Sequence, residues 1–304
     1  MGSMLGCVSL ISLIVATQMH NLNRSSHNVD HGITHTKKGL SQDKKDFIDN
    51  QNLKDNHLDY DNKASNGTLN TLSPKWTEAQ TSEREIAYDL YGSTRPIIRN
   101  HWAELQRNNG NVAIVCPFCG LTDAEEMDHF IPRGKEKLFP EYSTHYSNLI
   151  PLCHNCNHSK GDDWIEDGQQ VFFNAYFDHL DGIEILRCDI SRDPSTGLVF
   201  STILLNITGH ENDICRRVVN TITRLKLLPR FSKDSNKILR SKTMELKTEY
   251  EQQNSRYADL DDYVGAKRDV INSMSSNADD FIAKLTYSAI VDSDDYWNFV
   301  KSQL

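Results

Sequence analysis

The sequence lacks an apolar stretch long enough to cross a membrane as a helix. Leu5 to Ala16 is apolar but only twelve residues long, where about 20 are needed. No Lys or Arg precedes it, as the start of a secretory signal would require. A misassigned start or a short partner-binding helix are the other readings of that run, and a cytoplasmic protein with no membrane partner is expected. The cysteine usage of a secreted disulfide scaffold is also missing. Of seven cysteines, four form two close pairs, while Cys7, Cys188 and Cys215 are scattered. There is no overall positive balance either. The formal net charge is -9, which argues against a uniformly basic surface yet leaves room for a local nucleic-acid patch. No internal repeat is visible. Apolar residues are scarce between 18 and 75, and no period holds beyond a turn. Such a segment buries too little to offset its ordering entropy, so 1–75 is predicted to be disordered or poorly ordered. On that reading His20, His27, His31 and His35 are solvated tail histidines.

From 76 onward the pattern changes. Ile86, Leu90, Ile97, Ile98, Trp102 and Leu105 recur at helical spacing. Ser82 followed by Glu85 reads as a capping box, and Pro96 divides the run into two predicted helices. Residues 76–110 are therefore a helical lead-in, 111–168 a core, 169–210 a β-containing extension with one or two hairpins, and 211–304 a helical domain. In that last segment Ile214, Val218, Val219, Ile222, Leu225 and Leu228 set the period, and Pro229 closes the first helix. Further helices are predicted at 233–257, 259–273 and 277–303.

The core carries the chemistry. A short apolar strand, 112–115, delivers Cys116, and Cys116/Cys119 is matched by Cys153/Cys156. Two Cys-x-x-Cys turns present four thiolates to one tetrahedral ion, so a structural zinc site is predicted. The long gap between the pairs holds a strand at 126–132 with Asp128-His129, a polar loop, and a second strand at 148–152. A short helix begins at 154. Successive strand residues point to opposite faces, so Asp128 and His129 meet at one site only if the strand bends or bulges.

Cys-x-x-Cys, Asp-His, an Asn on the second strand and Cys-x-x-Cys-Asn-x-x-Lys-Gly, in that order, resemble HNH endonucleases over roughly 115–162. The resemblance implies an α+β protein: a ββα-metal HNH core with Zn(Cys)4 knuckles, flanked by helices and a C-terminal helical region. It implies that Asp128 and Asn157 hold a catalytic divalent cation, Mg²⁺ or Mn²⁺, where many members have His in place of Asn157. It further implies that His129 is the general base, that Asn148 orients the His129 loop, and that products carry 5'-phosphates. A neutral imidazole can take a proton from water, and a cation with oxygen ligands stabilises the charge of a phosphoryl transition state. A wider set, Lys137-Leu138-Phe139-Pro140-Glu141-Tyr142-Ser143, Asn148-Leu149-Ile150-Pro151-Leu152-Cys153 and Phe173-Asn174-Ala175-Tyr176-Phe177-Asp178, is similar to HNH subunits of Septu-type antiphage systems. That likeness implies an ATPase partner.

Candidate phosphate contacts are His158 and Lys160 on the short helix and Arg133, Lys135 and Lys137 in the inter-strand loop, with His145 and His154 nearby. The core itself is acidic, four basic residues against ten acids over 111–168. From Ile214 to Lys242, by contrast, nine basic residues face one acid, Arg216, Arg217 and Arg224 among them. That segment is the predicted source of a DNA footprint, or else a solvated face or a surface for an acidic protein. A non-catalytic zinc module and an RNA-directed nuclease or toxin are the rival functions.

Overall fold

The computed structural model describes residues 21–22, 28–134, 138–180, 185–207, 212–278 and 280–304. Lys135, Lys137, His20, His27 and the apolar run at 5–16 lie outside them, as do the side chains of Ile97 and Ile98. No described helix is long and apolar enough to cross a membrane. The chain divides into two compact units, one formed by 18–180 with 211–227, the other including 181–210 and 228–304.

The first unit begins with three helices where disorder is predicted: α1 (Val29–Lys37), α2 (Gln42–Asn50) and α3 (Leu53–Ser65). Asn28 caps α1 by accepting from the His31 amide at 3.0 Å. In α3 the buried positions are Leu53, His57, Tyr60 and Ala64, a regular helical stripe. Two of those four are His and Tyr, so the stripe does not register as apolar in the sequence. Val29, Ile33, Leu40, Ile48 and Leu53 close a core with Trp76, Ala87 and Leu90. Burial of that set overrides the polar composition that predicted disorder. His31 and His35, expected to be solvated, are half-buried on α1, their rings tilted against each other with centroids 3.8 Å apart.

Next comes α4 (Thr81–Asn108), one helix and not two. It runs through Pro96. Thr94 Oγ1 folds back on the Leu90 carbonyl at 2.9 Å, and buried Ala87 and Leu90 on one side and Leu105 on the other anchor both halves. Packing at both ends outweighs the one hydrogen bond that proline forfeits. The helix starts one residue before Ser82, with Gln80 as N-cap, so the capping box does not form.

The predicted strand at 112–115 is reduced to an isolated bridge, Val115 with Asp123. Strands β1 (Glu126–His129) and β2 (Leu149–Leu152) pair antiparallel, with Asp128 opposite Ile150 and His129 opposite Leu149. The short helix α5 (His154–Lys160) follows directly. A two-residue ribbon, β3 (Ile165–Glu166) with β4 (Gln169–Gln170), comes next. Residues 171–177, read as part of a hairpin, are irregular and end in a turn at 175–177. Asp178 at their end accepts both arms of the Arg217 guanidinium from α6 (Asp213–Arg224), at 2.7 and 2.8 Å.

The second unit is a hairpin, β5 (Leu186–Arg192) and β6 (Val199–Leu205), with α7 (Leu227–Gln253), α8 (Leu260–Asn277), α9 (Phe281–Asp292) and α10 (Asp294–Gln303). Pro229 does not close the first helix: α6 ends at Arg224, Lys226 takes a left-handed φ of 51°, and Pro229 sits in the first turn of α7, where its missing donor costs nothing. The last predicted helix is two, split where Ser293 caps α10 through the Tyr296 amide at 3.1 Å. Asn236 Oδ1 and Ser232 Oγ on α7 accept the β6 amides of Ser201 and Ile203 at 3.0 and 2.9 Å. Edge donors are thereby satisfied without a third strand.

Candidate functional site

Cys116 enters a tight turn in which the Gly120 amide donates to the Cys116 carbonyl at 2.8 Å and the Cys116 amide to Thr122 at 2.8 Å. Gly120 holds φ 64° there, a conformation that favours glycine. Cys153 is the N-cap of α5, and Cys156 lies one turn on. The four thiols are buried, and their sulfurs lie within 4.8 Å of one another. Cys119 Sγ and Cys153 Sγ are 3.8 Å apart, close to the edge of a tetrahedron with metal–sulfur bonds of about 2.3 Å. Packed so closely, the thiols bias one another's protons, contact with Cys116 pulling Cys119 down and contact with Cys119 pushing Cys116 up. Four buried sulfurs converging at tetrahedral spacing are the donor set that zinc takes, displacing thiol protons as it binds.

On β1, Glu126 and Asp128 share one face, and both reach toward α5. Asp128 meets Lys160 Nζ at 2.8 Å, and Lys160 also donates to the His129 carbonyl at 2.9 Å. Burial raises the Asp128 pKa, against the opposing pull of Lys160. Glu126 accepts from the Asn157 amide and contacts His154 Nδ1 at 2.7 Å. Hydrogen bonds from Asn157 and His154 hold its pKa down. The two predicted cation ligands thus have separate partners, Asn157 Nδ2 on Glu126 and Asp128 on Lys160, while the carboxylates of Glu126 and Asp128 and the side-chain oxygen of Asn157 are of the hard-oxygen type that Mg²⁺ or Mn²⁺ takes. Glu126 was missed in the sequence. Its signal is its place two residues before Asp128 on one strand.

His129 takes the opposite course. No bulge brings it to the Asp128 side; β1 stays regular through it. Its Nε2–H donates to the Ser143 carbonyl at 2.8 Å, and the Tyr91 ring meets it edge-on at 4.7 Å. A carbonyl can only accept, so Nε2 carries the hydrogen and Nδ1 keeps its lone pair. Burial lowers the His129 pKa to about 3, with Arg133 and Lys160 adding to the effect. The ring is neutral at physiological pH.

Asn148 is fully buried and saturated. Its Oδ1 accepts from the Ile131 amide at 2.8 Å and the Tyr60 hydroxyl at 3.2 Å; its Nδ2 donates to the Ile131 and Tyr142 carbonyls at 3.0 and 3.2 Å. It thus clamps the chain two residues beyond His129.

The candidate phosphate contacts separate. His158 is exposed on α5. Arg133 is half-buried, its guanidinium over Tyr88 and Tyr91 at 4.3 and 4.5 Å. Lys160 is 1% exposed and ion-paired, which removes it as a surface contact. Arg217 is corrected likewise: it is buried against Asp178. Arg216 donates to the Gln170 carbonyl at 2.9 Å, and Arg224 is paired with Asp163 and Glu166. Of these three arginines only Arg224 meets carboxylates of the 111–168 core; of the rest of the expected footprint, Lys233 and Arg240 are exposed on α7. His145 is buried on Asp61 at 3.0 Å.

The family model for the HNH endonuclease matches residues 116–163, spanning both cysteine pairs, Asp128-His129, Asn148, Asn157 and Lys160. No curated protein and no solved structure matches the chain. An HNH endonuclease domain with a four-cysteine cluster lies in a mixed helix-and-sheet protein.

Proposed function

We propose that the chain is a metal-dependent HNH endonuclease that hydrolyses DNA phosphodiester bonds, built on a ββα-metal core stapled by zinc. The observation that carries this reading is the Nε2–H of His129 on the Ser143 carbonyl. It leaves Nδ1 as a lone-pair base in a neutral ring, within a segment that matches the HNH family model. His129, the last residue of β1, takes the proton of the attacking water through Nδ1; since the regular strand carries Asp128 on its other face, this reading requires the scissile phosphate to lie off the strand's end, within reach of both side chains. An anionic phosphate brought beside the ring favours that proton, the reverse of what burial does to the resting ring. Asp128 and Asn157, with Glu126 beside them, would hold the divalent cation, which when bound supplies stabilisation of charge on the phosphorane and departing oxygen. Asn148 is a positioning residue, fixing the Phe130-Ile131 turn that aims His129. Exposed His158 and half-buried Arg133 are the backbone contacts nearest this chemistry.

The likeness to Septu-type nuclease subunits supports a role as effector of an antiphage complex gated by an ATPase. Because the α6 arginines are already paired, substrate affinity from this domain alone is expected to be weak, which favours an assembly in which a partner supplies further cations.

The test is digestion of supercoiled plasmid and of a matched RNA, with Mg²⁺, with Mn²⁺ and with chelator, by the protein alone and with the ATPase. Cleavage of DNA that needs the cation supports the reading. Binding without cleavage in every arm would replace it with a non-catalytic zinc module, and cleavage of RNA alone with an RNA-directed nuclease.

A further inference from the structure

The chain between β1 and β2 carries both supports of His129: the Ser143 carbonyl that fixes its tautomer and the Asn148 side chain that clamps the following turn. That segment is itself held from behind by α3. Tyr60 donates its hydroxyl to Asn148 Oδ1 at 3.2 Å. His57 Nε2 donates to the Glu141 carbonyl at 3.0 Å, and Asp61 meets His145 Nε2 at 3.0 Å. Residues 141 and 145 bracket Ser143. Two of the α3 contacts therefore flank the carbonyl that orients His129, and the third reaches the amide that orients its loop. His57 is buried, and that burial, with His145 beside it, keeps it neutral, so it acts as a donor of fixed geometry. Buried polar groups cost free energy unless paired, and a satisfied network of this kind has a single low-energy arrangement.

We infer that α3 is a positioning helix for the nuclease, with Tyr60 and Asp61 setting the orientation and tautomer of His129 through Asn148 and the Ser143 carbonyl. The inference rests on the nuclease reading for its consequence in rate, but its geometric content can be tested apart from cleavage. Neither residue touches substrate. Removing the Tyr60 hydroxyl frees Asn148 Oδ1 from one of its two donors, and neutralising Asp61 loosens His145 and with it the 143 carbonyl.

The experiment uses the full chain as wild type, Tyr60→Phe and Asp61→Asn. It reads steady-state cleavage of a short DNA duplex with Mg²⁺, the melting temperature, and the ¹⁵N signals of the His129 ring, identified by their loss in His129→Ala. The inference expects kcat to fall about tenfold in each variant, the scale of one buried hydrogen bond, with KM within about twofold. It also expects the His129 nitrogens to move from one N–H tautomer toward a mixture. Cleavage at wild-type kcat with an unmoved ring spectrum overturns it. So does a fall in kcat that tracks the melting temperature while the spectrum stays fixed, which marks a purely structural role. Should Tyr60→Phe fail to fold, Asp61→Asn decides by the same criteria. A wild-type protein that cleaves nothing, but whose His129 signals shift in the variants, keeps the positioning role and removes the nuclease reading.

Discussion

Lys160 Nζ lies 2.8 Å from Asp128 Oδ2 and reaches the His129 carbonyl from the same position. One ammonium thus ties α5 to the Asp-His dipeptide of β1. Lys160 is 1% exposed. Replacing one member of such a pair leaves its partner's charge without compensation. Lys160→Met is expected to cost about 3 kcal/mol in urea unfolding, and added Mg²⁺ should restore part of that by substituting for the lost charge on Asp128. A variant as stable as wild type, indifferent to Mg²⁺, would contradict the placement of both residues.

The four-cysteine cluster makes its own prediction. One zinc per chain should be found by elemental analysis of the purified protein. Cys153→Ser, which removes a ligand but leaves a residue well suited to cap α5, should lose the metal and lower the melting temperature by more than about 10 °C, since binding energy at such sites is folding energy. Full zinc content in the variant would show that the thiols do not converge on one ion.

Glu141 is buried beneath the Lys75 amide, which donates to its Oε1 at 2.8 Å. Burial raises its pKa from 4.5 to about 7. The folded protein therefore holds this proton more tightly than the unfolded chain, and stability is lost as pH rises from about 4.5 through 7. The loss is on the order of 3 kcal/mol. Glu141→Gln keeps the acceptor and removes the charge, so it should flatten that decline and raise the melting temperature at pH 8. Identical pH profiles would place Glu141 in water.

Arg217 and Asp178 form a bidentate pair with both side chains buried. Arg217→Ala is expected to destabilise the protein by about 3–5 kcal/mol and to leave the salt dependence of DNA binding unchanged. Loss of a phosphate contact would instead reduce the slope of log affinity against log salt by about one unit.

How much of this was legible in the sequence follows the physics of each signal. The cysteine pairs, β2 and α5 read nearly as they stand because their signals are local in the chain, while β1 ends at His129, three residues short of the 126–132 expected. Asn148 and His129 stood out through motif order. The α1–α3 layer did not, because its stripe uses His57 and Tyr60, whose burial depends on partners some 84 to 88 positions away. The fate of Arg217 and Arg224 was equally hidden: a basic run looks like a nucleic-acid footprint until the carboxylates it meets, Asp178, Asp163 and Glu166, are placed. Pro96 misled because local helix rules carry no term for packing at both ends of α4.

The most direct measurement is single-turnover cleavage of a defined DNA duplex by wild type and His129→Ala, both zinc-loaded and folded, in Mg²⁺. Loss of the Nδ1 base should slow the chemical step by about 10²–10⁴-fold while duplex affinity is retained. Cleavage by His129→Ala at the wild-type rate, or no metal-dependent cleavage by either protein under any of these conditions, would contradict the assignment of His129 as the group that takes water's proton.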